Sequence, residues 1–220
     1  MNSSGDPHRG QPVLTLGPAP SAAHATMIMV HGRGASAHDM LGLAREIAIA
    51  DVAVLAPQAA GQTWYPYSFL SPIEDNEPGI TSGLSVIGGL VDGLLAQKIP
   101  IDRIALIGFS QGACLSLEFA ARHPRRYRAV IGLSGGLIGP PGTARDYPGS
   151  FDQAPVFLGC SDVDPHIPLA RVRESAEVFR RMGASVDKRI YPRMGHTVNE
   201  DELLAVRSLL MPPERHRSAT

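Results

Sequence analysis

The segment around Ser110 most constrains what this chain can fold into. An apolar run, Ile104-Ala105-Leu106-Ile107, leads into Gly108-Phe109-Ser110-Gln111-Gly112, and good helix formers then follow as far as Pro124. This order predicts a buried strand, a sharp turn and a helix. A serine on such a turn stands clear of the sheet, and the N–H of the next residue is free to bind an anion. The segment therefore favours a serine hydrolase with Ser110 as its nucleophile.

A second G-x-S-x-G sequence lies at Gly132-Leu133-Ser134-Gly135-Gly136, and it also follows an apolar run. The residues after each serine separate the two candidates. Ser134 leads into a segment that contains Gly139-Pro140-Pro141-Gly142, where proline and glycine prevent a helix. We therefore expect Ser134 to be a turn residue at the end of a strand, close to the site but not its nucleophile.

Apolar strands alternate with amphipathic helices along the chain, which predicts an α/β fold. We expect a mainly parallel central sheet with helices on both faces. The last helix is expected to begin at Asn199, with Glu202 three residues on as its capping partner. We predict a flexible N-terminal arm over residues 1–11, one domain over 12–212, and a polar C-terminal tail over 213–220.

Composition excludes several classes of function. The 220 residues carry a formal net charge of −1, so no basic field favours a nucleic-acid partner. We see no signal peptide and no apolar stretch that approaches the length of a membrane span, so we expect no stable membrane insertion and a cytoplasmic location. The two cysteines, Cys114 and Cys160, are expected to be small buried side chains.

A serine hydroxyl needs a base within hydrogen-bond reach, and that base needs a carboxylate to orient it. His196 follows the last predicted strand directly after Gly195, and we expect it to be the base. The acid should follow the preceding strand, where Asp162 and Asp164 both occur. We choose Asp164 as the acid and expect Asp162 to hold the turn. His166 is expected to line the rim of the pocket.

An oxyanion hole needs two N–H donors aimed at one point. Gln111 supplies one backbone N–H directly after the serine. The loop His31-Gly32-Arg33-Gly34 supplies the other, for which we choose Arg33, because its two glycines let the backbone approach closely. His31 is expected to hydrogen-bond beneath this loop. The Arg33 side chain has two open interpretations: it recognises an anionic substrate group, or it is a solvated or ion-paired surface residue.

A long loop over residues 57–79 is rich in aromatic side chains, and loops of this length usually carry function. We expect Trp64 and Tyr65 to line the substrate pocket together with His166, Met194 and Arg33. The sequence contains no metal-ligand spacing and no glycine-rich phosphate loop. We therefore expect no metal and no cofactor.

Four motifs together resemble the phospholipase/carboxylesterase family of α/β-hydrolases, which includes the acyl-protein thioesterases. These motifs are His31-Gly32-x-Gly34, Gly108-Phe109-Ser110-Gln111-Gly112, Asp164-Pro165-x-Ile167-Pro168 and Gly195-His196. The resemblance implies a compact α/β-hydrolase fold without a large cap domain. It also implies a catalytic triad of Ser110, Asp164 and His196, oxyanion donors at Arg33 and Gln111, and an aromatic residue, Trp64, beside the acyl site.

The chain departs from the thioesterase members at position 33, where they usually carry an apolar residue. An apolar loop that would seat a long acyl chain is not recognisable either. We therefore expect a serine carboxylesterase for small-to-medium esters, with a small ester as its partner and a homodimer left open. The alternatives are a lysophospholipase, an acyl-protein thioesterase, or a relative of the dienelactone hydrolases, which usually use cysteine. A non-catalytic binding protein or an interaction module on the same fold is more remote.

Overall fold

Seven strands and five α-helices alternate in the computed structural model, which describes residues 5–212. The strands are β1 (Val13–Leu16), β2 (Ala25–Val30), β3 (Val52–Pro57), β4 (Ile104–Phe109), β5 (Ala129–Leu133), β6 (Pro155–Ser161) and β7 (Ser185–Tyr191). The helices are α1 (Ala37–Ile47), α2 (Gly79–Ala96), α3 (Gln111–Arg122), α4 (Leu169–Arg181) and α5 (Glu200–Leu210). Three short 3-10 turns span Ala60–Gln62, Ile73–Asn76 and Ile101–Arg103.

The strands form one sheet in the order β1-β3-β2-β4-β5-β6-β7. Only the β1–β3 pair is antiparallel among the described strands, and the other five pairs are parallel. This arrangement confirms the predicted mainly parallel sheet. Strand β4 lies at its centre, so the turn after it opens at the carboxyl edge of the sheet, where parallel α/β folds place their ligands.

Helices cover both faces of the sheet, which explains why its central strands are apolar at nearly every residue. Along β4, Leu106 packs with α2, α3 and α4 on one face. The next residue, Ile107, packs with α1 and α5 on the other. Because side chains alternate along a strand, both sets are removed from water, and a central strand reads as a continuous apolar run.

Helix α2 corrects one expectation from the sequence. It is long and apolar enough, by length and composition alone, to cross a membrane, although no apolar stretch of that length was expected. Its glycines and hydroxyl side chains break up the apolar run without making it polar. Core helices of globular proteins pass the same test, and 44% of this helix is buried in the fold, where it packs against α3.

The N-terminal arm also differs from the prediction in the residues that the structure describes. His8 is only 3% exposed, because its backbone and imidazole hydrogen-bond to α2 and to the loop after β3. Residues 5–11 therefore contain an anchored segment rather than a wholly flexible arm. Residues 1–4 of the arm and the predicted tail over 213–220 lie outside the described residues.

Asn199 is the N-cap of α5, as predicted. The Asn199 side chain accepts a hydrogen bond from the backbone N–H of Glu202, and the Glu202 carboxylate accepts one from the Asn199 N–H, both at 2.9 Å. This reciprocal cap satisfies two donors that a helix start leaves unpaired. It fixes the point at which the chain leaves the loop after β7, which carries His196.

Candidate active site

Ser110 occupies a sharp turn between β4 and α3. Its φ of 54° lies in the left-handed region, and its backbone N–H donates to the Leu133 carbonyl at 2.9 Å. The two flanking glycines are required by space. A Cβ on Gly108 would overlap the Gly112 backbone, and one on Gly112 would overlap the carbonyl oxygen of Val30. The G-x-S-x-G pattern is thus the sequence that lets strand, turn and helix approach this closely.

Three side chains meet at the carboxyl edge of the sheet in one chain of hydrogen bonds. The Ser110 Oγ lies 2.8 Å from Nε2 of His196. On the other side of the imidazole, Nδ1 lies 2.7 Å from Oδ2 of Asp164. This geometry lets the Asp164 carboxylate hold the proton on Nδ1, which leaves Nε2 free to accept a proton from the serine.

The Asp164 carboxylate is fully buried, yet its hydrogen bonds favour the charged form. Burial alone would raise its pKa. The hydrogen bond from His196 and those from the backbone N–H groups of His166 and Ile167, at 2.8 and 3.0 Å, outweigh that effect. The pKa of Asp164 therefore lies below its usual value, and the side chain is an anion at neutral pH.

Asp162 acts on the backbone rather than on the imidazole. Its Oδ1 accepts a hydrogen bond of 2.7 Å from the N–H of Arg193, and its own N–H donates to the Tyr191 carbonyl. These bonds join the loop after β6 to the loop after β7. The sequence analysis expected a turn-holding role for this residue. The structure adds that the turn it holds is partly the one that carries His196.

The loop after β2 lies directly against the Ser110 turn. A Cβ on Gly32 would be 3.2 Å from the Cβ of Ser110. Within residues 5–212, neither the Arg33 nor the Gln111 backbone N–H has a hydrogen-bond acceptor. Two unpaired N–H groups beside a serine have the composition of an oxyanion hole.

His31 lies beneath that loop and is fully buried. Its Nε2 accepts a hydrogen bond of 3.0 Å from the Ala59 N–H, so the proton is on Nδ1, which donates to the Gly32 carbonyl at 2.8 Å. Burial lowers its pKa and keeps the ring neutral, although the Gly32 carbonyl partly opposes this. The imidazole joins the loop after β2 to the loop after β3.

The Gln111 side chain has a structural role that the sequence analysis missed. Its Oε1 accepts from the Trp64 N–H, and its Nε2 donates to the Tyr65 carbonyl, both at 2.8 Å. The residue that offers a backbone N–H beside Ser110 is therefore also tied to the aromatic loop. The only signal in the sequence was the Gln111 amide at the predicted start of a helix, because an amide that becomes buried there must find hydrogen-bond partners.

A cavity of about 540 Å³ opens at Ser110. It is lined by Arg33, Tyr65, Pro66, Tyr67, Ser68, Phe69, Ser110, Gln111, Cys114, His166, Ile167 and His196. The larger cavity found in the described chain, about 650 Å³ between α2 and α3, contains none of these residues. Of these two cavities, the smaller one is therefore the one that gives access to Ser110.

Two residues predicted to line the pocket do not line it. Trp64 is fully buried, because its indole N–H turns inward and donates to the His31 carbonyl at 2.9 Å. The sulfur of Met194 instead contacts the Asn199 amide at 3.0 Å. The sequence analysis also missed Tyr67 and Phe69. No alternation along the loop marked them, because residues 65–69 form bends and a turn in which all five residues line the cavity.

Cys114 lies in the cavity wall one helical turn after Ser110. It is fully buried, and burial raises the pKa of its thiol to about 12. A thiol with that pKa is protonated at neutral pH and is a poor nucleophile. The turn position itself, 110, holds serine rather than the cysteine that the dienelactone hydrolase alternative would usually require.

The side chain of Arg33 is not the ion-paired surface residue of the second interpretation. Its guanidinium donates to Thr63 Oγ1 at 3.1 Å, to the Pro66 carbonyl at 2.7 Å and to the Tyr67 carbonyl at 2.6 Å. No carboxylate of residues 5–212 lies within 4.0 Å of it. It is therefore an exposed side chain that uncharged acceptors hold in place, and its charge is not neutralised by the described part of the protein.

Known proteins share the sequence pattern and the fold of this chain. The sequence profile of the phospholipase/carboxylesterase family matches residues 17–211. The chain belongs to this family. It is 29% identical over 226 residues to acyl-protein thioesterase 1 of Gibberella zeae, covering 90% of this chain and 95% of that protein. It is 27% identical over 206 residues to acyl-protein thioesterase 1 of Schizosaccharomyces pombe, covering 85% and 90%.

A solved relative is closer in sequence. The phospholipase/carboxylesterase of Dyadobacter fermentans superposes with a TM-score of 0.88 at 39% identity, covering 92% of this chain and 97% of that one. The fold is thus the α/β-hydrolase fold that the motifs implied, and the family member is a serine hydrolase of the ester-cleaving class. Within residues 5–212, no group of three or more His, Cys, Asp or Glu side chains could hold a metal ion.

Proposed function

We propose that this family member hydrolyses small-to-medium carboxylic esters through an acyl-enzyme on Ser110. The observation that carries the proposal is the continuous pair of hydrogen bonds from Ser110 through His196 to Asp164, at 2.8 and 2.7 Å. Such a chain gives a serine the base it lacks at neutral pH. Ser110 and His196 line a cavity that opens to solvent, and Asp164 lies behind the His196 ring.

The proposed reaction has two steps. The Ser110 Oγ attacks the carbonyl carbon while Nε2 of His196 takes its proton, and the Asp164 anion stabilises the imidazolium that forms. The backbone N–H groups of Arg33 and Gln111 bind the oxyanion. The imidazolium then protonates the leaving alcohol as the C–O bond breaks. In the second step, His196 activates a water molecule, and the acid is released as Ser110 regains its proton.

The preference for shorter acyl groups rests on the cavity. Its volume of about 540 Å³ lies within the roughly 300–1,000 Å³ typical of small-molecule sites. Aromatic and polar side chains, among them Tyr65, Tyr67, Phe69 and His166, form much of its wall. This mixed lining favours a compact substrate over a long alkyl chain, whose burial needs a continuous apolar surface.

A thioester is the second candidate substrate, and the named relatives favour it. Two of them are acyl-protein thioesterases that match this chain over most of its length. The same three side chains would attack a thioester carbonyl, with a thiol as the leaving group. The lysophospholipase alternative also uses this constellation and differs only in what the cavity must accept.

A rate profile tests the proposal. We would measure kcat/KM for 4-nitrophenyl esters from acetate to palmitate and for an acyl thioester, with Ser110→Ala as the control. We expect a maximum at short or medium chains and a loss of about 10⁴-fold or more in the variant. A maximum at palmitate, or on the thioester, would replace the ester proposal by the second candidate. Unchanged activity in Ser110→Ala would remove the proposed nucleophile.

A further inference from the structure

The cavity at Ser110 has a single permanently charged side chain in its wall. Apart from the two histidines, every other lining side chain is neutral, and Arg33 is the only arginine or lysine among the residues that line it. No aspartate or glutamate lines the cavity. The charge of Arg33 favours a negatively charged substrate group in the part of the cavity that it faces, whereas the Asp164 anion lies behind the His196 ring.

The guanidinium of Arg33 is already oriented. Three hydrogen bonds, to Thr63 Oγ1 and to the carbonyls of Pro66 and Tyr67, use two N–H groups on Nη1 and one on Nη2. All three acceptors are uncharged, so they fix the orientation of the guanidinium without neutralising its charge. A guanidinium carries five N–H donors. The N–H of Nε and one N–H of Nη2 thus have no acceptor in residues 5–212.

The same arginine is close to the reacting atoms. Its backbone N–H is a proposed oxyanion donor, so its guanidinium lies within one side-chain length of the scissile carbonyl. It also lies 5.9 Å from the centre of the Tyr65 ring. Tyr65 is held by Gln111, the other proposed oxyanion donor. The position of the charge relative to Ser110 is therefore set by hydrogen bonds on both sides.

We infer that Arg33 binds a carboxylate on the substrate, so that the preferred substrates are esters that carry a carboxylate near the scissile bond. Arginine is suited to this, because its planar fork matches the two oxygens of a carboxylate. The inference rests on the proposed esterase function of Ser110 and names the substrate class for that site. It gives the departure at position 33 a chemical role.

Paired substrates that differ only in charge test the inference. 4-Nitrophenyl hydrogen adipate and 4-nitrophenyl hexanoate share a six-carbon acyl chain, and they place the carboxylate in the acyl group. 4-Acetoxybenzoate and its methyl ester place it in the leaving group. We would measure kcat/KM for each after subtracting the uncatalysed rate. The ratio of the charged to the neutral member is the readout, because general damage to the site lowers both.

We expect at least one pair to favour the charged member in the wild type, and Arg33→Gln to lower that ratio about fivefold to tenfold. Arg33→Lys keeps the positive charge but loses the planar guanidinium, and it should retain part of the preference for the charged substrate. Arg193→Gln removes an exposed arginine from the loop that carries His196, and should leave the ratio within about twofold. In the wild type, added NaCl should lower the rate for the charged member more than for the neutral one.

Ratios that are the same in the wild type and in Arg33→Gln for both pairs would overturn the inference. So would a wild type that prefers the neutral member of both pairs. If the hexanoate is still cleaved and Ser110→Ala abolishes that cleavage, the proposed function survives this outcome. If the wild type cleaves no ester at all, the proposed function itself fails.

Discussion

His8 anchors the aromatic loop from a distant part of the chain, and replacing it by alanine should loosen that loop. The imidazole Nδ1 accepts a hydrogen bond of 3.1 Å from the Ala60 N–H, and Nε2 donates to the Trp64 carbonyl at 2.8 Å. Its ring also packs edge-on against the indole, with 5.0 Å between ring centres. The Trp64 N–H in turn binds the side chain of Gln111, whose backbone N–H is a proposed oxyanion donor.

The size of the effect follows from those contacts. His8→Ala leaves one buried carbonyl and one half-buried N–H without a partner, each costing about 1–3 kcal/mol. Water can reach part of the vacated space, because Ala60 is only half-buried, so we take the lower end for each. We expect a loss of about 2 kcal/mol in the free energy of unfolding. Because the loosened loop contacts Gln111, kcat should also fall, by about tenfold.

The assay uses Trp64, which is the only tryptophan of the chain and is fully buried. In His8→Ala, its emission should shift to the red and acrylamide should quench it more strongly, while far-ultraviolet circular dichroism stays unchanged. Urea unfolding followed by both signals gives the change in stability. His38→Ala removes an exposed histidine from α1 and is the matched control. Wild-type emission, midpoint and kcat in His8→Ala would refute the anchoring role.

Three further predictions concern charge. In steady-state kinetics, Asp164→Asn should lower kcat by about 10³–10⁴-fold, whereas Asp162→Asn should lower it by less than about tenfold. The reverse order would mean that Asp162 is the acid. Burial lowers the pKa of both His8 and His31, because the fold favours their neutral form. Their contribution to the free energy of unfolding is therefore complete above pH 6.5 and is lost as the pH falls through the lowered pKa values. In the double variant His8→Gln/His31→Gln, the urea midpoint should fall less between pH 7 and pH 5 than it does in the wild type. An equal fall in both proteins would contradict a role for these two histidines in the pH dependence. Burial raises the pKa of Glu202 to about 7, so its ionisation destabilises the fold as the pH rises from 4.5. The free energy of unfolding of Glu202→Gln should therefore exceed that of the wild type by about 1–3 kcal/mol at pH 8 and should equal it near pH 4. A difference of the same size at both pH values would exclude ionisation as the cause.

The parts of this structure that local sequence determines were predictable. The G-x-S-x-G turn is set by close approach at Gly108 and Gly112, and both glycines are visible in the sequence. The candidates for base and acid each follow a predicted strand, and parallel strands bring their carboxyl ends to one edge. That is why His196 and Asp164 could be named before their distances were known.

The parts that depend on contacts between distant segments were not predictable. The position of His8 follows from partners 52 and 56 residues away along the chain, and nothing in a polar N-terminal segment signals them. Trp64 was placed in the pocket because an aromatic loop residue near a site usually lines it. Its indole N–H instead finds the His31 carbonyl, 33 residues away. Which neighbour then faces the cavity depends on the path of the loop.

The left-handed backbone at Ser110 has a consequence for how this protein can evolve. A residue other than glycine at a φ of 54° costs the fold about 1–3 kcal/mol, whereas glycine adopts it with little strain. With Ser110 as the proposed nucleophile, the residue that supplies the activity is also one that lowers the stability of the fold. In a lineage that no longer needed the reaction, glycine could replace serine at position 110. That replacement would abolish the proposed activity and raise the stability of the fold.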